Sequence, residues 1–255
     1  MIKMIAIDLD GTLLSDDKNI SDYSLSILEK CKSKGLKIAF ATARTEREAE
    51  RLSKQADPDF QILNGGALVI KRNREVIYKS QLSVEMSNAI INECLKESGI
   101  INLSVITDEF HYRRVKPSSN HPDYSKWTYN DYSKPLSTET YSIDIKTLNP
   151  DIANKIENNF KDINIIKVTD VNAYRILHKD ADKMAGVKAI AEEEKIALNE
   201  IAAFGDDYSD MRMLRECGTG IAMENGIAEI KKIAGYVCKS NNNDGVAKWI
   251  EEYLL

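Results

Sequence analysis

Asp8 and Asp10 stand two residues apart, after the apolar run Met4-Ile5-Ala6-Ile7 and just before Gly11. Side chains at i and i+2 of a strand leave on the same side. A strand ending here therefore sends out two carboxylates together, and Gly11 lets the chain turn beside them. Two unit charges about 4 Å apart repel by roughly 4 kcal/mol at an effective dielectric near 20, so one must be protonated or a cation must lie between them. A second acidic tip, Gly205-Asp206-Asp207-Tyr208-Ser209-Asp210, follows the apolar run Ile201 to Phe204. If the two strands are neighbours, Asp8, Asp10 and Asp206 converge on one crevice. An all-oxygen donor set of that kind selects Mg²⁺ over zinc, and Mg²⁺ keeps several waters and pairs with phosphate. Two other residues suit an anion. Thr42 ends the apolar run Leu36 to Ala41, just ahead of a helix start, and Lys183 sits at another helix start.

The elements that must place these groups follow from pattern. Ser21 to Lys34 reads as a helix stopped by Gly35, and Thr45 with Glu48 makes a capping box that opens the next one. Gln61 to Leu63 is a third short strand running into Asn64-Gly65-Gly66, and Ala67 to Ile70 with Val76 to Tyr78 reads as a hairpin. Alternating strands and helices predict a parallel α/β sheet, in which ligands bind beyond the carboxyl ends of the strands. Asp8, Asp10, Thr42 and Asn64 fall there.

The pattern then changes. A helix from Ser83 to Ser98 precedes strand-like pieces at Leu103 to Thr107 and His111 to Val115, and then a polar, irregular stretch from Lys116 to Pro135. Strands at Tyr141 to Ile145, Ile163 to Val168 and Ala173 to Leu177 surround a helix from Asp151 to Phe160. Paired strands with helices predict a smaller α+β domain at 82–178, inserted into a core made of 1–81 and 179–255. From Asp182 the first pattern resumes: a helix through Val187 and Ile190, the strand before Asp206, a helix from Met211 to Cys217, strands at Gly220 to Met223 and Tyr236 to Cys238, and a last helix.

Composition narrows the classes. The chain has 255 residues, 43% hydrophobic and 29% charged, with a net charge of -5. That is a globular composition, and its sign argues against a nucleic-acid binder held by phosphate contacts. No run is basic enough for a membrane surface or apolar enough to span a bilayer, and the start does not read as a signal peptide. The four cysteines, Cys31, Cys94, Cys217 and Cys238, make no C-x-x-C pair and read as small buried residues in a reducing cytoplasm.

Taken together, Asp8-Leu9-Asp10-Gly11-Thr12-Leu13-Leu14, Thr42, Lys183 and Gly205-Asp206-Asp207-x-x-Asp210 resemble the motifs of the haloacid dehalogenase superfamily of phosphohydrolases. Their order and spacing resemble its Cof-type branch (subclass IIB), as do Asn64-Gly65-Gly66, Ala222-Met223-Glu224-Asn225-Gly226 and Asp244-Gly245-Val246-Ala247. The resemblance implies a Rossmann-like core with a large inserted cap, and a Mg²⁺-dependent phosphatase of small phosphorylated metabolites. It implies Asp8 as nucleophile, Asp10 as general acid and base, and Lys183 as a phosphate-binding catalytic lysine. Thr42 would bind phosphate, with Leu9, Ala43, Asn64 and Ser209 as further phosphate or substrate contacts. Mg²⁺ would be held by Asp8, Asp10 through its carbonyl, and Asp206, with Asp210 acting through water or Lys183. Ser209 departs from the Asn usual in that branch, and its shorter side chain would reach phosphate only through water. Asp207 stands where Gly is common.

Other readings remain open at this point. A phosphomutase would pass the phosphoryl group from Asp8 to a sugar hydroxyl, and a phosphoacceptor or sensor would hold it without turnover. Dehalogenation does not call for Asp10. Alone, Lys183 would be a solvated lysine, Thr42 a strand-end hydroxyl and Asn64 a turn residue. Tyr124, Trp127, Tyr129 and Tyr132 could line a substrate pocket, but such clusters more often pack a loop onto its own domain. Arg113, Arg114 and Arg175 could meet a second anion, with solvated surface positions the commoner case. His111, His121 and His178 have no ligand spacing. A monomer or weak homo-oligomer is expected.

Overall fold

The computed structural model describes residues 1–114, 127–168 and 172–255. The chain divides into two compact units, Met1–Lys79 with Lys183–Leu255, and Ser80–Asp182.

The first unit is built on an eight-stranded sheet in the order β14-β13-β12-β1-β2-β3-β4-β5. Its strands are β1 (Met4–Ile7), β2 (Lys37–Ala41), β3 (Phe60–Leu63), β4 (Leu68–Lys71), β5 (Val76–Lys79), β12 (Ile201–Gly205), β13 (Thr219–Met223) and β14 (Tyr236–Cys238). All neighbours pair in parallel except β3 with β4 and β4 with β5, which are antiparallel. The apolar runs are continuous because both faces of the sheet are covered. Along β1, Ile5 and Ile7 enter a core with Ile27, Leu28, Trp249 and Ile250, from α1 (Asp22–Ser33) and α8 (Gly245–Tyr253). Met4 and Ala6, on the other face, pack with Met184, Val187 and Met213, from α5 (Lys183–Glu194) and α6 (Met211–Glu216).

Local signals set the element ends. Ser21 accepts the backbone N–H of Ser24 at the start of α1, and Thr45 and Glu48 form the expected reciprocal box at the start of α2 (Glu46–Ala56). The short helix α7 (Ala228–Ile233) was not apparent from the sequence, because so few residues carry little periodicity.

The second unit is a six-stranded sheet, β10-β11-β9-β6-β7-β8. It comprises β6 (Ile100–Ile106), β7 (His111–Arg113), β8 (Thr128–Tyr129), β9 (Ser142–Thr147), β10 (Ile163–Val168) and β11 (Ala173–His178). Helices α3 (Val84–Lys96) and α4 (Asp151–Asn159) cover one face through Ile90, Ile91, Ile152 and Ile156 against Leu103, Val105, Ile143 and Ile176. Ser104 pairs with Arg113 and with Asp144, and Asp144 with Arg175, so these four share the opposite, more polar face.

The stretch expected to be irregular contains β8, which runs parallel to β7. Tyr132 joins the core of this unit, and the Arg113 guanidinium lies 5.6 Å from the centre of the Trp127 ring. Tyr124 and His121 lie outside the described residues. His111 bonds Ser104 and His178 bonds Ser80, while Arg175 grips Asp144 through two hydrogen bonds. Among the described residues no helix is long and apolar enough to cross a membrane. All four cysteines are free and buried, as expected.

Candidate active site

In register, Ile7 of β1 faces Phe204 of β12 on one side and Phe40 of β2 on the other, so the segments just beyond these three strand ends meet. Asp8, Asp206 and Asp210 offer carboxylate oxygens that all lie within 4.8 Å of one another. Two acidic tips nearly two hundred residues apart in sequence are thereby brought into one cluster.

Burial makes that cluster costly. Asp8 is 5% exposed and Asp210 is fully buried. Lys183, the first residue of α5 and only 2% exposed, donates to Oδ1 of Asp8 and Oδ1 of Asp210, each at 2.6 Å. Gly186 lets α5 pack close to β3, because a Cβ there would overlap the side chain of Ile62. The lysine is thus held by helix packing. The other oxygen of Asp210 accepts the backbone N–H groups of Asp206 and Asp207, both at 3.1 Å. Asp210 therefore braces the second tip and aims Lys183.

Asp206 takes its orientation from the first tip. Thr12 donates its hydroxyl to Asp206 Oδ1 at 3.0 Å. Gly11 has φ +84°, and a Cβ there would run into the Asp206 carboxylate. Only glycine meets both demands, the left-handed backbone and the close approach.

One lysine does not neutralise this cluster. Burial, with smaller contributions from Asp210 and Asp206, drives Asp8 well above the usual carboxylate range against the pull of Lys183. Burial and Asp210 push Asp206 up to about 6, and the Lys183 ammonium is stabilised well above its ordinary value by Asp210 and Asp8 against its own burial. Excess negative charge among oxygen donors is what a hard cation relieves, so these residues fit a divalent ion of the Mg²⁺ kind.

Asp206 titrates at about 6 when folded against an ordinary 3.8, so between those values the folded state binds more protons. Stability therefore rises as pH falls through 6, and Asp8 shifts in the same direction. Thermal midpoints in EDTA are expected to be higher at about pH 5 than at pH 7, with the gap narrowed in Asp206→Asn. Equal gaps in wild type and variant would contradict the assignment.

Asp10 departs from the shared-cation expectation. Its carboxylate does not join the cluster but is gripped by Arg44, with Nε to Oδ2 at 2.7 Å and Nη2 to Oδ1 at 2.8 Å, and by Lys18 at 3.0 Å. These bonds outweigh burial and hold the carboxyl at about 2. Sequence reasoning missed both partners. The available signal was Arg44 itself, on the same strand tip as Thr42.

The remaining candidates surround the ends of β2 and β3. Thr42 is buried and its hydroxyl accepts the Arg44 N–H at 3.2 Å. Asn64 donates its N–H to the Arg44 carbonyl, and the N–H of Gly65 bonds the Thr42 carbonyl. Asn64 has φ 52°, is 2% exposed, and its Oδ1 has no hydrogen-bond partner among the described residues. Left-handed backbone is ordinary for Asn in a turn, whereas a buried acceptor without a partner is uncommon. Ala43 is exposed, Leu9 is buried with its carbonyl taken by Thr12 and Leu14, and Ser209 is half-buried.

The family model for haloacid dehalogenase-like hydrolases matches residues 5–250. The chain belongs to that family. This hydrolase is 27% identical over 266 residues to the 5-amino-6-(5-phospho-D-ribitylamino)uracil phosphatase YitU of Bacillus subtilis, covering 98% of the chain and 97% of the relative. Its fold matches a haloacid dehalogenase-like hydrolase from B. subtilis with a TM-score of 0.87 at 21% identity, over 100% of both chains. It also matches a subclass IIB sugar phosphatase at 0.86 and 23% identity, over 98% of each. The hydrolase is an enzyme of the phosphatase kind.

Proposed function

We propose that the protein is a Mg²⁺-dependent phosphomonoesterase of small metabolites that works through an aspartyl-phosphate on Asp8. The observation that carries this reading is the buried set of Asp8, Asp206 and Asp210 with Lys183 bonded between two of them. A carboxylate oxygen of Asp8 attacks phosphorus and the ester P–O bond breaks, which splits one hard displacement into two. Asp10 gives a proton to the leaving alkoxide and later takes one from the attacking water. As it stands, Asp10 is held ionised by Arg44 and Lys18, contacts that also weaken it as a base and must loosen before it takes a proton from water. Its acid role requires those contacts to loosen when substrate arrives.

Lys183 and the Thr42 hydroxyl bind phosphoryl oxygens, and the neighbouring N–H groups of Leu9 and Ala43 and the side chain of Ser209 add to that cradle. Asp8 and Asp206 would hold Mg²⁺, with Asp10 lending its carbonyl and Asp210 acting through Lys183; the ion supplies charge neutralisation to the phosphoryl group. The orphan Asn64 Oδ1 supports a substrate contact there.

The substrate class is a sugar phosphate or a phosphorylated cofactor such as pyridoxal phosphate. The relative named for a phosphorylated ribitylamino-uracil supports that class. We assign substrate selection to the inserted unit, residues 82–178 in the sequence reading, whose sheet carries Ser104, Arg113, Asp144 and Arg175 on its polar face.

The test is release of phosphate from p-nitrophenyl phosphate and from a panel of phosphorylated metabolites. Activity is expected to need Mg²⁺ and to fall at least about tenfold in EDTA. Mg²⁺ at about one hundred times its dissociation constant adds about 2.7 kcal/mol of stability. For a protein of this size that raises the thermal midpoint by about 5–11 °C. Full turnover in EDTA would remove the metal from the proposal.

A further inference from the structure

Two sequence motifs near the carboxyl end, around Asn225 and Asp244, have no part in the chemistry above. The structure shows where the first of them acts. Asn225, in the turn after β13, donates its side-chain amide to the Gly11 carbonyl at 2.7 Å. Its Oδ1 accepts the backbone N–H of Asn241 at 3.0 Å. Asn241 is 7% exposed and donates its own amide to the Leu14 carbonyl at 2.9 Å and to Asp16 Oδ1 at 3.1 Å. The Asn225 turn also reaches the second acidic tip, since the N–H of Ile227 bonds the Asp206 carbonyl at 2.9 Å. A Cβ on Gly226 would meet that same carbonyl.

From this geometry we infer that Asn225, backed by Asn241, is a positioning residue for the metal site. It rests on the reading of the site given above. The amide of Asn225 fixes the Gly11 carbonyl, and with it the Gly11–Thr12 segment. Thr12 in turn orients the Asp206 carboxylate. One turn therefore grips both acidic tips, by its side chain on the first and its main chain on the second. Loss of the side-chain grip leaves Gly11, the most permissive residue in the loop, free to rotate. Asp206 then meets the cation with its aim loosened.

Asn225 is exposed, so its removal should cost the fold little. Loss of a group that orients a metal ligand typically weakens metal affinity or activity by about 10–100-fold. The experiment is calorimetric titration of Mg²⁺ into wild type, Asn225→Ala, Asn225→Gln and Asn243→Ala, with thermal midpoints in EDTA. Asn225→Ala is expected to weaken Mg²⁺ binding by about 10–100-fold while staying folded, its midpoint in EDTA lowered only by the loss of two hydrogen bonds, and Asn225→Gln, which keeps the amide donor, to recover part of the loss in affinity. Among the described residues the Asn243 side chain bonds only Ser240, so Asn243→Ala should bind as wild type does. At saturating Mg²⁺ the KM for p-nitrophenyl phosphate should be the same in all of them. Wild-type affinity in Asn225→Ala, or equal losses in Ala and Gln variants, would overturn the positioning role alone. No Mg²⁺ binding by wild type would overturn the reading of the site and this inference with it.

Discussion

Asp8→Asn is expected to lower phosphatase turnover by about four orders of magnitude or more, since removal of a covalent nucleophile leaves only binding and electrostatic terms. The substituted amide keeps the shape of the carboxylate but cannot form the acyl-phosphate. The same change should not weaken the fold in EDTA. Asp8 is a buried carboxylate whose ionised form is disfavoured by its burial and by Asp210 and Asp206. Lys183 keeps its bond to Asp210 when Asp8 loses its charge. Rate assays with p-nitrophenyl phosphate beside thermal melts separate the two effects. An inactive variant with an unchanged or higher midpoint is the expected pair, and near-wild-type turnover would rule out Asp8 as nucleophile.

Lys183→Met should produce the largest loss of stability of any single change at the site. The side chain is 3% exposed and lies between carboxylates that are 7% and 0% exposed. Methionine fills much of the space and leaves both carboxylates without their cation. Removing one partner from a buried ion pair costs about 3–5 kcal/mol, which in a chain of this size lowers the thermal midpoint by about 6–20 °C. The folded-state value of Lys183 is raised, so its stabilisation is fully present below the unfolded lysine value of 10.5 and is lost only in stronger alkali. In the variant, acid should recover part of the loss, because protonating Asp8 or Asp206 relieves the unpaired charge. Added Mg²⁺ should do the same. A Lys183→Met protein as stable as wild type at pH 7 in EDTA would show that the lysine is not the cation the cluster depends on. Turnover should fall too, because the phosphoryl group loses a charged donor.

The contrast between the two aspartates of the first motif shows where one-dimensional reading stops. Their spacing suggests a shared cation, yet only Asp8 joins Asp206 and Asp210, while Asp10 is neutralised by Arg44 and Lys18. Arginine at the end of β2 is unremarkable in one dimension, and its bidentate grip appears only when parallel pairing sets β2 beside β1. The reverse holds for Asn64, which reads as a turn residue until burial and an unpartnered Oδ1 set it apart.

The parallel core, the acidic tips and the capping signals are legible in one dimension, because they depend on local periodicity and on residue types at strand ends. Continuous apolar runs such as Met4 to Ile7 demand coverage on both faces, and Thr45 with Glu48 demands a helix start. Which charges share a cluster, which are paired off and which loops brace them emerge only from the folded chain. Those are properties of distances between residues far apart in the chain, as between Thr12 and Asp206 or Gly11 and Asn225. Charge and hydrogen-bond energies change steeply over a few ångströms. Local pattern does not encode such distances, and strand order and register do.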